Sequence, residues 1–153
     1  MAKPAVMQKV KKKKENYFKK KGRLGSREFW IILLVVWMIE IFALSQVPGT
    51  SERYYDLLYF IERKIAHVVE FFVLALLAYK AFVSFGMKYK KALLAMFSLS
   101  ISWAFADEFH QLFIFGREGK LLDVGIDSIG VLLALGFLLA LRAWFKIDLQ
   151  NSK

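Results

Sequence analysis

Residues 92–115 read ALLAMFSLSISWAFADEFHQLFIF. A helix needs about 20 predominantly apolar residues to cross a bilayer. This run has that length, yet it gathers Asp107, Glu108, His110 and Gln111 toward one end. Three more runs share its character: Phe29 to Val47, with Glu40 as its one acid, about Ile65 to Phe85, and about Leu121 to Phe145. The fold class read from this pattern is all-α, a polytopic membrane protein with four transmembrane helices. A signal peptide is the competing reading of the first run, because Ala43-Leu44-Ser45 loosely fits a cleavage site. The run exceeds the usual ~7 to 15 residue signal core, which favours a span.

Charge separates a tail from this body. The 153 residues are 58% apolar and still carry a net charge of +10. Residues 1–28 hold 11 cations and two acids, a local +9, which leaves 12 cations and 11 acids, a net +1, for the other 125 residues. The expected organisation is a polybasic cytoplasmic tail over 1–28, a four-helix transmembrane domain over 29–145 and a short cytoplasmic C-terminal tail over 146–153. A globular nucleic-acid binder with a basic working face is excluded, and the body is too apolar for disorder. Zero cysteines remove disulfides, thiolate catalysis and Cys-ligated zinc.

Lysine and arginine near span ends favour the cytoplasmic side of the cell membrane. Lys11 to Lys14 and Lys19 to Lys21 therefore put the N-terminus inside, and an even span count returns Arg142, Lys146 and Lys153 to the same side. Lys88, Lys90 and Lys91 join them in the turn between the second and third spans. Seven tail lysines would also attract anionic inner-leaflet lipid at about 1 kcal/mol per residue. Nucleic acid is not expected as a partner. In the first outward loop, Tyr54, Leu57, Leu58 and Ile61 follow helical spacing, which predicts a short interfacial helix after Pro48-Gly49.

Charged side chains inside a span cost about 2.5 to 3.5 kcal/mol each at the bilayer centre, so their placement is the strongest functional signal. Here they gather in the outer leaflet or its interface. The second span opens on Lys64, His67 and Glu70; the third closes on Asp107, Glu108, His110 and Gln111; the fourth opens on Asp123 and Asp127. The first contributes Ser45, Gln46 and Glu40, the last about 10 Å from the span end at 1.5 Å per residue. Arg117 stands in the second outward loop. In the third span Ser100, Trp103, Asp107, His110 and Gln111 form one stripe, with Glu108 turned about 100° away. In the fourth, Asp123, Asp127, Gly130 and Ala134 form another, its lower half small enough to admit a close neighbour. Packing alone gives a blander account, with Asp107–Arg117 and Asp127–His110 as candidate buried pairs.

His67-x-x-Glu70 and Glu108-x-His110 supply ligand types that a divalent cation accepts, but neither matches a strong metal motif, so no metal or cofactor is assigned. The same residues suit acid–base chemistry. No Ser elbow, phosphate-cradling Gly-rich loop or cysteine nucleophile accompanies them.

Ser45-Gln46 with Pro48, Lys64-x-x-His67-x-x-Glu70-Phe71, Asp107-Glu108-x-His110-Gln111-x-Phe113, Gly116-Arg117, Asp123 and Gly130, in this order on four spans, resemble the VanZ-like family. The resemblance covers about residues 29–142. Phe115 stands where that family usually has proline, and Asp127 where asparagine is common. Its namesake is associated with teicoplanin resistance, so the resemblance implies a bacterial membrane protein that lowers susceptibility to glycopeptide antibiotics. The expected route is an outward polar pocket that engages a membrane lipid, a lipid-linked cell-wall precursor headgroup or the antibiotic itself. A lipid-acting membrane enzyme and a helical scaffold are the alternatives, and the oligomeric state is left open.

Overall fold

The computed structural model describes residues 25, 27–47, 57–115, 117 and 119–151, with side chains to residue 145. Four helices carry these residues: α1 (Arg27–Ser45), α2 (Leu57–Ser84), α3 (Tyr89–Gln111) and α4 (Leu121–Asn151). All four are long and apolar enough to cross a membrane, as the four-span reading requires. The tail up to residue 24 lies outside the described residues, as do Pro48-Gly49 and Tyr54 of the expected interfacial helix.

Three boundaries differ from the expectation for local reasons. Residues 57–64 run on into α2 without a break, so over that part no separate helix forms. No Gly or Pro interrupts them, and Leu58 and Ile61 continue in phase with Ile65 and Val69 along one exposed apolar face. Helix α3 stops at Gln111 rather than Phe115, because Leu112, Phe113 and Ile114 donate three residues back, to Phe109, His110 and Gln111, and so tighten into turns. Helix α4 continues past Phe145 to Asn151.

The turn between α2 and α3 is compact because Gly86 takes φ +85, a left-handed conformation that suits glycine. Its N–H donates to Val83 and that of Met87 to Phe82, closing the C-terminus of α2 as a Schellman motif. The buried interior is built from small and medium residues: Ala75, Ala78 and Ala81 on α2, Ala104 on α3, Val131 and Ala134 on α4, with Phe71, Leu74, Met96 and Ile41 filling between them. Small side chains let helices approach closely where lipid supplies no hydrophobic drive for association. The extreme case is Gly130, whose absent Cβ would meet the backbone carbonyl of Val68 and the backbone nitrogen of Phe72. Helix α4 therefore lies directly on the α2 backbone at that level.

Helix α1 completes the bundle by reaching both α2 and α3. Trp37 donates its Nε1–H to the carbonyl of Glu70 at 3.0 Å, Phe42 packs against Trp103 with ring centroids 6.0 Å apart, and Arg27 Nε donates to the carbonyl of Ser84 at 2.7 Å. The up-and-down path leaves two unlike ends. One gathers Ser45, Lys64, Asp107 and Asp123; the other gathers Arg27, Lys80, Lys88 and Arg142.

Candidate functional site

The end that holds Ser45 and Asp107 contains most of the buried polarity of the described residues. Ser45, His67, Asp107, Glu108, Gln111 and Asp127 are all buried there, and Ser100 lies deeper along α3. A buried polar group is costly unless hydrogen-bonded, so partners organise the layer. Two sets result.

The first set joins α1 to α3. Ser45 donates its hydroxyl to Asp107 Oδ2 at 2.8 Å, and Gln111 Nε2 donates to the same oxygen at 2.8 Å and to Glu108 Oε1 at 3.2 Å. The backbone N–H of Lys120 donates to Glu108 Oε2 at 2.9 Å, which ties the approach to α4 onto α3. The second set joins α2 to α4 in two rungs. Lys64 Nζ pairs with Asp123 Oδ1 at 2.5 Å, and about one turn deeper His67 Nδ1 lies 3.0 Å from Asp127 Oδ1. The three-residue step on α2 matches the four-residue step on α4, and Gly130 below them brings the two backbones together.

Several polar atoms in this region have no hydrogen-bond partner among the described residues. They include Asp107 Oδ1, Gln111 Oε1 and Asp127 Oδ2, with His110 Nε2, Trp103 Nε1 and Ser100 Oγ along α3. Three of the six belong to side chains of the buried layer that already use another atom, so the protein satisfies half of each group and leaves the other half. Beside the layer opens a cleft of about 280 Å³, lined by Tyr59, Arg63, Lys64, Lys120 and Asp123 with Phe60 and Ile126. The Lys64–Asp123 pair stands between this cleft and the His67–Asp127 pair beneath. Three cations against one acid make the cleft cationic while the buried layer behind it is rich in carboxyls.

Eight sequence candidates enter this arrangement: Ser45, Lys64, His67, Asp107, Glu108, Gln111, Asp123 and Asp127. Glu108, about 100° around the helix from the stripe, is buried as Asp107 is. Its carboxylate faces Lys120 and Gln111, and the helix end supplies partners on both faces. The pairings differ from the expectation. Asp127 takes His67 instead of His110, and His110 stacks on Phe42 with centroids 3.9 Å apart. Asp107 takes Ser45 instead of Arg117, whose Nε donates to the carbonyl of Val47 at 2.9 Å and ties the loop to the end of α1. Glu40 and Gln46 are exposed on α1 and stay outside the layer, while Glu70 is half-buried and receives Trp37 through its backbone carbonyl. Among the described residues no group of three or more His, Asp or Glu is arranged to hold a metal ion.

Sequence reading missed Arg63 as a cleft residue, the backbone N–H of Lys120 and the stacking partner Phe42. Arg63 was accessible in principle, since it neighbours Lys64 on the turn that faces α4. A backbone donor has no residue-type signal at all.

No curated relative and no solved structure matches the chain. The VanZ/LLP1 family matches it over residues 29–142, about three quarters of its length and all four helices up to the last turns of α4. The chain, a multi-pass membrane protein built on four apolar helices around a polar layer, belongs to the VanZ/LLP1 family.

Proposed function

We propose that the polar end faces outward from the cytoplasmic membrane of a bacterium and engages the headgroup of an envelope lipid or lipid-linked cell-wall precursor. By that contact the protein lowers susceptibility to teicoplanin-like glycopeptides. The observation that carries the reading is the half-satisfied carboxyl layer, with Asp107 Oδ1 and Asp127 Oδ2 unpartnered among the described residues, at the same end of the bundle as a cationic cleft. Arg63, Lys64 and Lys120 suit an anionic headgroup, since charge-assisted hydrogen bonds to phosphate or carboxylate are the strong ones. Carboxylate oxygens accept from sugar hydroxyls or amines. Phe60 and Ile126 at the cleft wall suit the first part of an acyl or prenyl chain. The orientation follows from the positive-inside bias, because Lys88, Lys90 and Lys91 lie at the other end and the polybasic stretch precedes α1 in sequence.

Teicoplanin susceptibility of cells expressing the chain tests this, with Arg63→Gln, Lys64→Gln and Asp107→Asn compared at equal membrane abundance. Loss of protection in all three is expected. Full protection by the Arg63→Gln, Lys64→Gln double variant would refute it.

The His67–Asp127 pair favours one second reading, a membrane enzyme acting on the same class of substrate. A carboxylate that holds one imidazole nitrogen fixes the ring and frees the other for proton transfer. On this reading His67→Gln abolishes protection while headgroup retention by the purified protein is unchanged, whereas a binder loses both together.

A further inference from the structure

The opposite end of the bundle contains a second and larger cleft, about 530 Å³, between α2, α3 and α4. Its lining includes Lys80 and Arg142 at the rim and Tyr79, Tyr89, Phe137 and Leu141 along the walls, with no carboxyl group among them. Arg142 lies over the Tyr89 ring at 3.9 Å from its centroid, and the Tyr89 hydroxyl is 3.4 Å from the Leu138 carbonyl, so the guanidinium is held against a ring that is itself tied to α4. Lys80 lies 5.9 Å from the centroid of Trp30 on α1. Neither cation has an ion-pair partner among the described residues.

Two cations beside an apolar slot in a membrane-embedded bundle, one of them held against a ring, are complementary to one kind of occupant. We infer that this cleft binds an anionic phospholipid, its phosphate between Lys80 and Arg142 and one acyl chain along Phe137 and Leu141. A water-soluble phosphate would have no use for the apolar walls, which are about half exposed where Phe137 and Leu141 face outward. A zwitterionic lipid would bring its own ammonium to two cations. The surroundings reinforce the sign: the polybasic tail leads into α1 at Arg27, which is bonded to the C-terminal end of α2, and Lys88, Lys90 and Lys91 open α3 nearby. Basic pockets between transmembrane helices at the cytoplasmic side are a known route to anionic headgroups. The inference uses no residue of the polar end and shares with the proposed function only the orientation in the membrane.

Native mass spectrometry of the full chain in mild detergent tests it, titrating dioleoyl phosphatidylglycerol, dioleoyl phosphatidylethanolamine and glycerol 3-phosphate. Wild type is expected to prefer phosphatidylglycerol to phosphatidylethanolamine by about tenfold, and the Lys80→Gln, Arg142→Gln double variant by about twofold or less. The Lys90→Gln, Lys91→Gln variant removes the same charge from the same end outside the cleft, and should keep the preference. Lys80→Gln alone, which leaves the Arg142–Tyr89 stack intact, should give an intermediate value, so a folding defect in the double variant does not decide the outcome. Equal loss in the Lys90, Lys91 control would overturn the site in favour of general surface charge. Binding of glycerol 3-phosphate as tight as that of the lipid would overturn the acyl slot, and an unchanged preference in both Lys80 variants would overturn the proposal outright.

Discussion

Replacing Gly130 by alanine adds one methyl group at the closest approach of α2 and α4, and its effect follows from what that methyl meets. The nearest atoms are the Val68 carbonyl oxygen and the Phe72 nitrogen, the latter at 2.9 Å, and both belong to the backbone. Neither can swing aside as a side chain would. The helices must separate by roughly 1 Å, which forfeits a quarter to a half of the dispersion well for contacts along that interface. Overpacking of this kind typically costs about 1–3 kcal/mol. The same shift opens the His67–Asp127 contact from 3.0 Å to about 4 Å, beyond hydrogen-bond range, at a further cost of about 1 kcal/mol. Helix propensity acts in the opposite direction, with alanine favoured over glycine by about 1 kcal/mol. The net expectation is a loss of about 1–3 kcal/mol. Gly125 and Gly136 on the same helix are internal controls, since a Cβ at either meets nothing within 4 Å. Their alanine variants should be neutral or more stable than wild type. Equilibrium unfolding of the full chain in mixed SDS–detergent micelles, followed by far-UV circular dichroism, measures all three. A Gly130→Ala stability within about 0.5 kcal/mol of Gly125→Ala would show that the close approach is not there.

Other substitutions test the layer piece by piece. Ser45→Ala removes one of the two donors to Asp107 Oδ2 and should cost about 1 kcal/mol in the same unfolding assay, less than Asp107→Leu, which strands Ser45 and leaves Gln111 only its Glu108 contact. Exchanging the upper rung as Lys64→Asp with Asp123→Lys should recover most of the stability lost by either change alone, and a double variant no better than the worse single one would deny the pairing. Gly119→Ala should destabilise by about 1–3 kcal/mol, because its Cβ would press on the Glu108 carbonyl and on Leu112; a neutral result would contradict the geometry of the turn before α4.

The four helices were legible because run length is a one-dimensional property of the sequence, and so was the gathering of polarity at one end, which follows once the spans alternate in direction. Gly130 was legible for the same reason, as part of a small-residue stripe below Asp127. Pairing was not. Helical spacing tells which side of α3 His110 occupies but not which neighbour waits there, and Phe42 on α1 took the ring that sequence reading gave to Asp127. The partners of Glu108 were hidden for the same reason, since helical spacing sets it off the stripe but does not name what its face meets. At the last turn before Gln111 that face meets the returning chain at Lys120. Glu40 and Gln46 were placed by depth alone, and depth does not fix the face on which α1 presents them.

The polar layer costs more than its contacts within the bundle return. Three buried carboxyl groups, Asp107, Glu108 and Asp127, cost about 2.5 to 3.5 kcal/mol each at the bilayer centre, and still roughly 4 to 5 kcal/mol together if shallow placement halves the figure. Hydrogen bonds between transmembrane segments return about 0.6 kcal/mol apiece, so the contacts from Ser45, His67 and Lys120 recover roughly 2 kcal/mol. Alanine and glycine already supply close helix contact lower in the bundle at no such cost, as Ala75, Ala78, Ala134 and Gly130 do. A scaffold would be more stable with the whole layer, carboxyls together with their donors, replaced by packed apolar side chains. The deficit falls on two oxygens, Asp107 Oδ1 and Asp127 Oδ2, which no group of the protein's described residues satisfies. A ligand that brings donors to those two atoms recovers the remainder only when it is bound, which makes the cost of the layer in the free protein a source of affinity for the occupied one.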